Sequence, residues 1–207
     1  MPMGSWTGWC RWTRRSRGFT STRRRCLVAT QGGRPNHNDP GREPPDRAIG
    51  RSRGGLTTKI HLACDGQGRP LSLWLTGGNI NDSTELGAVM AGIQVPRIGP
   101  GRPRTRPDRL LGDKGYSSRG NRALLTARSI KVTIPEKDDQ AGHRQRRGSA
   151  GGRPYAFDPG IYKQRNVVER AFNRFKHWRG LASRFDKTAV CYLGGLTLAA
   201  LLLWTEP

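Results

Sequence analysis

The sequence predicts an α/β domain, a mixed sheet with flanking helices, behind a basic N-terminal segment that packs little. Three observations lead there. Strand-like runs and helical periodicities alternate from Leu56 onward, one charge-free apolar run closes the chain, and 37 Lys plus Arg against 15 Asp plus Glu give a formal net charge of +22. Residues 1 to about 50 carry many Arg, Gly, Pro and Ser with almost no apolar periodicity, so they read as a poorly ordered first segment and 51–207 as the domain.

Each element follows from local signals. Leu56 to Ala63 reads as a strand, Asp65 to Gly68 (DGQG) as a hairpin turn, and Leu71 to Leu75 as the returning strand. Asn81-Asp82-Ser83 can cap a helix running to Met90, followed by a Pro-rich basic loop. Arg109 to Leu111 is a short strand leading to Asp113. Ser117 or Ser118 caps a helix to about Arg128, Ile130 to Ile134 is the next strand, and Glu136 to Pro159 is a long basic loop. A helical segment (YKQRNVVERAFNRFKHWRG) and the apolar run Tyr192 to Trp204 complete the chain. That run is short of the roughly 20 residues a bilayer span needs, so it reads as a core helix.

In the helical segment Tyr162, Arg165, Glu169 and Lys176 are spaced Tyr-x2-Arg-x3-Glu-x6-Lys. At about 100° per residue they fall within an arc of roughly 60°, while Val168, Ala171, Phe172, Phe175 and Trp178 take a neighbouring face that can bury itself. An ordinary amphipathic helix with a solvated polar side could look similar; the exact spacing argues against it. The segment resembles the YREK signature of DDE-type insertion-sequence transposases. The blocks GRSRGGLTTKIHLACDGQGRPL, LLGDKGYSS, the basic loop ending GSAGGRP, and RNVVERAFNRFKHWRGLASRFDK stand in that family's order from roughly Asp39 to Trp204.

The resemblance implies a ribonuclease-H-like fold with its first strand missing, since two adjacent strands, helix, strand, helix, strand, long loop and helix is that order without its start. It implies that Asp113 and Glu169 are two of three acids holding Mg²⁺, or Mn²⁺, for cleavage and strand transfer at insertion-sequence ends. It also implies that Tyr162, Arg165 and Lys176 grip phosphates there. Arg144, Arg146 and Arg147 in the basic loop are further DNA contacts, although a solvated charge run would look the same. Partners implied are duplex DNA at the element's ends, a second copy on paired ends and an upstream-frame product as a fusion; the place is a bacterial cytoplasm, at the nucleoid.

No in-frame residue suits the first acid. Asp65 belongs to the DG turn, Asp82 to a helix cap, and Asp39 and Asp46 lie among Pro and Gly. The codons suggest why. Trp is only TGG, Thr is ACN and Cys is TGY, so Trp6 to Thr13 (WTGWCRWT) read one base earlier has the form Leu-Asp-Trp-x-Val-Ser-Val-Asp. Phe19 to Thr22 can become His-Gln-His in the same frame. Residues 1 to about 30 are therefore inferred to be an out-of-frame translation, through a programmed frameshift or a decayed copy. The alternative function is a non-catalytic DNA-binding fragment that regulates or competes with a full-length transposase.

Composition excludes other classes. Cys10, Cys26, Cys64 and Cys191 form no CxxC pair and the four histidines show no ligand spacing with them, which argues against a zinc site. The Arg-rich start has no apolar h-region and does not read as a signal peptide. A chain of +22 seeks polyanions, and phosphate contacts release counterions. Its affinity for duplex DNA is therefore expected to fall steeply with salt. A fluorescence-anisotropy titration across a salt series checks this, and a salt-insensitive affinity would point to a different partner.

Overall fold

The computed structural model describes residues 47–52 and 55–205, and the backbone of 7–13. Among the described residues six strands form one sheet: β1 (Thr7–Thr13), β2 (Gly50–Ser52), β3 (Gly55–Cys64), β4 (Pro70–Gly77), β5 (Arg109–Leu111) and β6 (Lys131–Thr133). Their order is β4–β3–β1–β5–β6, antiparallel up to β1 and parallel beyond it, with β2 against the start of β3. Seven α-helices among the described residues flank them: α1 (Leu86–Ala91), α2 (Arg119–Ala127), α3 (Asp138–Arg146), α4 (Pro159–Lys163), α5 (Asn166–Phe175), α6 (Arg179–Ser183) and α7 (Ala189–Thr205). This is the mixed, helix-flanked sheet of a ribonuclease-H-like fold.

The sheet is buried on both faces. Alternation along β3 sends Leu62 and Cys64 to one core with α5 and α7, and Ala63 to the other with α1 and α2. β5 divides the same way, Leu111 to the first and Leu110 to the second. α5 buries Val167, Val168, Ala171, Phe172 and Phe175, and α7 buries Tyr192, Leu196, Ala199 and Leu203 at helical spacing. Two bonds fasten α7: Tyr192 donates its hydroxyl to the Leu181 carbonyl at 2.8 Å, and Trp204 Nε1 donates to the Pro70 carbonyl at 2.7 Å. Among the described residues no helix is long and apolar enough to cross a membrane.

Turn chemistry sets the hairpin. The Asp65 carboxylate is buried and accepts from the backbone N–H groups of Gln67 and Arg69, each at 2.9 Å, and from Arg69 Nε at 2.7 Å. Gly68 closes the turn at φ +85°, where a side chain would be strained. At the other end of β3, the chain entering β2 lies tightly on the β4 exit. A Cβ on Gly78 would fall 1.9 Å from Thr57 Oγ1, so only glycine permits the approach. Buried Arg184, itself at φ +47°, clamps this corner by donating to the Arg47 and Ala48 carbonyls and to Thr58 Oγ1.

Three expectations are corrected. The first strand is not missing: Thr7–Thr13 fills its place, with Thr13 opposite Ile60 on β3 and Trp9 opposite Leu111 on β5. Its ladder needs only backbone N–H and C=O groups, which any extended segment offers, and Trp, Cys and Thr favour strands. The basic stretch from Glu136 is not simply a loop, because α3 and a 3₁₀ turn at Gly148–Gly151 lie within it. Asp138 and Asp139 in its first turn and His143, Arg144 and Arg146 in its last suit the helix dipole. The helix capped by Asn81 begins as a 3₁₀ turn at Asp82–Glu85 before α1.

His61 on β3 is fully buried, with Nε2 2.6 Å from Thr76 Oγ1. Burial first, and the Lys59 charge second, lower its pKa from 6.5 to about 3. The unfolded chain therefore takes up a proton near pH 6.5 that the folded chain refuses until about 3. Stability is complete above 6.5 and falls as pH drops through that window, by at most about 1.4 kcal/mol per pH unit. Urea denaturation of the wild type and of His61→Gln across the window should give a flatter dependence for the variant; equal slopes would remove His61 as the cause.

Candidate active site

β5 delivers the first candidate acid. Gly112 follows it so closely under Ile134 that a Cβ would lie 3.3 Å from Ile134 Cγ1. Asp113 then leaves in extended geometry and caps a 3₁₀ turn (Lys114–Tyr116), its Oδ1 accepting from Lys114 N–H at 2.7 Å. Neighbours hold that turn. Ser117 Oγ donates to Gln140 Oε1 on α3 at 2.7 Å, and Asn121 Nδ2 donates to the Ser83 and Tyr116 carbonyls at 3.0 and 3.3 Å. Half-buried Asp113 therefore stands on a fixed support at the strand end.

The signature segment is two helices rather than the one its periodicity predicts. α4 ends at Lys163, and Arg165 is the N-cap of α5, with Tyr162 on the first helix and Glu169 on the second. The stripe survives the break. Arg165 lies over the Tyr162 ring with Cζ 5.4 Å from its centroid, and its Nη1 is 3.6 Å from Glu169 Oε1. Lys176 stands apart from that path: it is the C-cap of α5 and donates to Asn173 Oδ1 at 2.7 Å. Glu169 lies on α5, which packs on β1, and Asp113 lies two residues beyond β5, which pairs with β1.

The basic stretch divides. Arg144 is bound to Glu136 through both Nη2 (2.9 Å to Oε2) and Nε (3.3 Å to Oε1), and that hydrogen bonding raises its pKa further. Arg146 contacts His143 Nδ1 at 3.0 Å and stays exposed, as does Arg147. The acids set aside on sequence grounds have structural work: Asp65 holds the hairpin, and Asp82 pairs with Lys59 at 2.7 Å. Asp39 and Asp46 lie outside the described residues. Among the described residues no three His, Cys, Asp or Glu side chains converge as a metal site. Sequence reading passed over Arg122, Tyr155 and Phe157; the signal was an aromatic pair in an otherwise Gly-, Pro- and Arg-rich stretch (GGRPYAFDPG).

Comparison with known proteins identifies the family. Residues 37–203 match the family described as the transposase DDE domain. A protein assigned as transposase for insertion sequence element IS402 of Burkholderia cepacia is 34% identical over 185 residues, covering 89% of this chain and 76% of the relative. Another, assigned to insertion sequence element IS6501 of Brucella ovis, is 28% identical over 149 residues, covering 72% of this chain and 98% of the relative. With four fifths of its length inside the family's domain, and a relative 34% identical over 89% of its length, the chain belongs to the DDE-domain transposases of insertion sequences.

Proposed function

We propose that the chain is the catalytic domain of a transposase that cuts and joins DNA at the ends of its insertion sequence with Mg²⁺, and that it is incomplete as it stands. The observation that supports this most is the contact path Tyr162–Arg165–Glu169, which runs from α4 into α5, the helix packed on β1 beside the strand that leads to Asp113. Carboxylates are the right donors for a hard cation, so Asp113 and Glu169 would hold Mg²⁺, with Mn²⁺ the other suitable ion. When bound, the metal supplies activation of water or a 3′-hydroxyl for in-line attack on a phosphodiester.

The protein's own groups position the substrate. Arg165 can release Glu169 and present two donors to one phosphate, Tyr162 can stack or donate a single hydrogen bond, and Lys176 adds a mobile point charge at the far end of α5. A duplex could then run toward α3, where exposed Arg146 and Arg147 meet its backbone. Paired ends would call for a second copy of the chain, and an upstream reading frame for a fused N-terminal product. DNA as substrate would place the protein at the bacterial nucleoid.

One observation favours the second reading, a DNA-binding fragment without activity that competes with a complete transposase. Thr7–Thr13 (TGWCRWT) occupies the centre of the sheet without an acidic residue. In the neighbouring frame the aspartate would fall at position 13, opposite Ile60. The two readings differ in a nicking assay. With Mg²⁺ and an element end, the chain as given should not nick DNA, whereas replacing residues up to about 30 by the neighbouring frame's translation should restore nicking. Glu169→Ala in that restored protein should abolish nicking and leave end binding intact. Robust nicking by the unmodified chain would defeat the frame argument, and near-normal rates for the Glu169 variant would remove it from the chemistry.

The ion pair on α3 gives a second test. Arg147→Ala should lower the slope of log affinity against log salt by about 0.9, while Arg144→Ala should leave the slope unchanged and lower the Tm. Equal slope changes for both variants would return Arg144 to the DNA surface.

A further inference from the structure

We infer that the hairpin between α1 and β5 enters the minor groove of A·T-rich duplex DNA, with Arg97 and Arg102 as the inserted side chains. The inference rests on the DNA reading above and adds a contact away from the proposed cutting edge, because β5 runs from this hairpin toward Asp113. The hairpin has a fixed base. Ile93 and Pro107 are buried, and Val95 and Arg104 exchange backbone hydrogen bonds of 2.9 and 2.8 Å. Arg104 pairs with Asp108 at 2.5 Å and donates to the Arg106 carbonyl at 3.2 Å, while Arg128, the C-cap of α2, donates to the Thr105 carbonyl at 3.3 Å. Asp108, the acid of this stretch, is thereby engaged within the base.

Beyond that base the tip, residues 96–103 (PRIGPGRP), is exposed throughout. Arg97 and Arg102 have no carboxylate partner among the described residues. A Cβ on Gly101, at φ +136°, would lie 3.7 Å from Arg97 Cδ, so the Arg97 stem lies beside the backbone just ahead of Arg102. Pro96, Pro100 and Pro103 hold φ near −65°, and Gly99 and Gly101 carry no side chain. The tip is therefore a slim, stiffened stretch of backbone whose long polar side chains are the two arginines.

That shape and charge identify the ligand. A minor groove about 6 Å wide excludes a helix and admits a single extended chain. Over A·T pairs the groove is narrow and its negative potential draws in arginine, whereas G·C pairs place the guanine amino group on its floor. Ile98, 99% exposed, is apolar surface that only a partner can cover, and the deoxyribose walls of the groove supply one. A phosphate backbone alone would answer the arginines and leave Ile98 in water.

The test uses the full chain and three fluorescent duplexes of one length, built from A·T pairs, from G·C pairs and from deoxyinosine·cytosine pairs. The last keep the major-groove face of G·C and lack the guanine amino group in the minor groove. The wild type should bind the A·T and inosine duplexes about tenfold more tightly than the G·C duplex. Arg97→Ala/Arg102→Ala should bring all three to the G·C level, and Arg106→Ala, outside the tip, should keep the preference. A wild type without preference, or one for which inosine behaves as G·C, would overturn the inference. So would a double variant that loses affinity equally on all three duplexes, which would make the tip a phosphate contact, or one that keeps the preference. In each of these cases the DNA reading stands; absence of salt-dependent binding to every duplex would overturn both.

Discussion

Burial of α5 on the sheet is the constraint on which the rest of the structure depends. Val168, Ala171, Phe172 and Phe175 are sealed against Leu62, Cys64 and Leu111, and α7 closes the same core from outside. A helix held by five buried side chains cannot rotate without opening cavities, each lost large side chain costing about 2–5 kcal/mol. Glu169 is carried on the other side of that helix, so its position is fixed by packing rather than by its own ion pair. A half-exposed pair such as Arg165 with Glu169 adds at most about 1 kcal/mol and is free to exchange partners.

What the sequence made legible was what local chemistry decides. Arg109–Leu111 matches its predicted bounds residue for residue, Ser118 caps α2 by accepting from Asn121 N–H, and DGQG forms the hairpin turn as read. The buried face of α5 was legible from spacing alone. The interruption between α4 and α5 was not, because neither Gln164 nor Arg165 is a helix breaker and the division serves tertiary packing. Nor was α3, which buries no residue and has no apolar stripe to detect. Its charge distribution was the only sign, and a charge run reads more readily as loop.

The split of the signature segment divides labour at the site. Glu169 belongs to a packed helix, whereas Tyr162 sits on a five-residue helix with no buried residue, continuous with the aromatic stretch before it. The contacts between them are a ring–guanidinium approach and one ion pair, both soft enough to rearrange around a phosphate. On the proposed reading, the rigid half would serve the chemistry and the softer half the handling of substrate.

The central strand has a consequence for how such a gene loses its activity. A ladder made of backbone groups accepts a segment of altered sequence, while the carboxylate that the altered segment leaves out cannot be replaced by pairing. On the proposed reading, a single-base slip in this region would strip the protein of cutting and spare its architecture and its basic surface. A mobile element carrying it would then produce an occupant of its own ends, so that loss of the enzyme and gain of a brake on intact neighbours would arrive in one step.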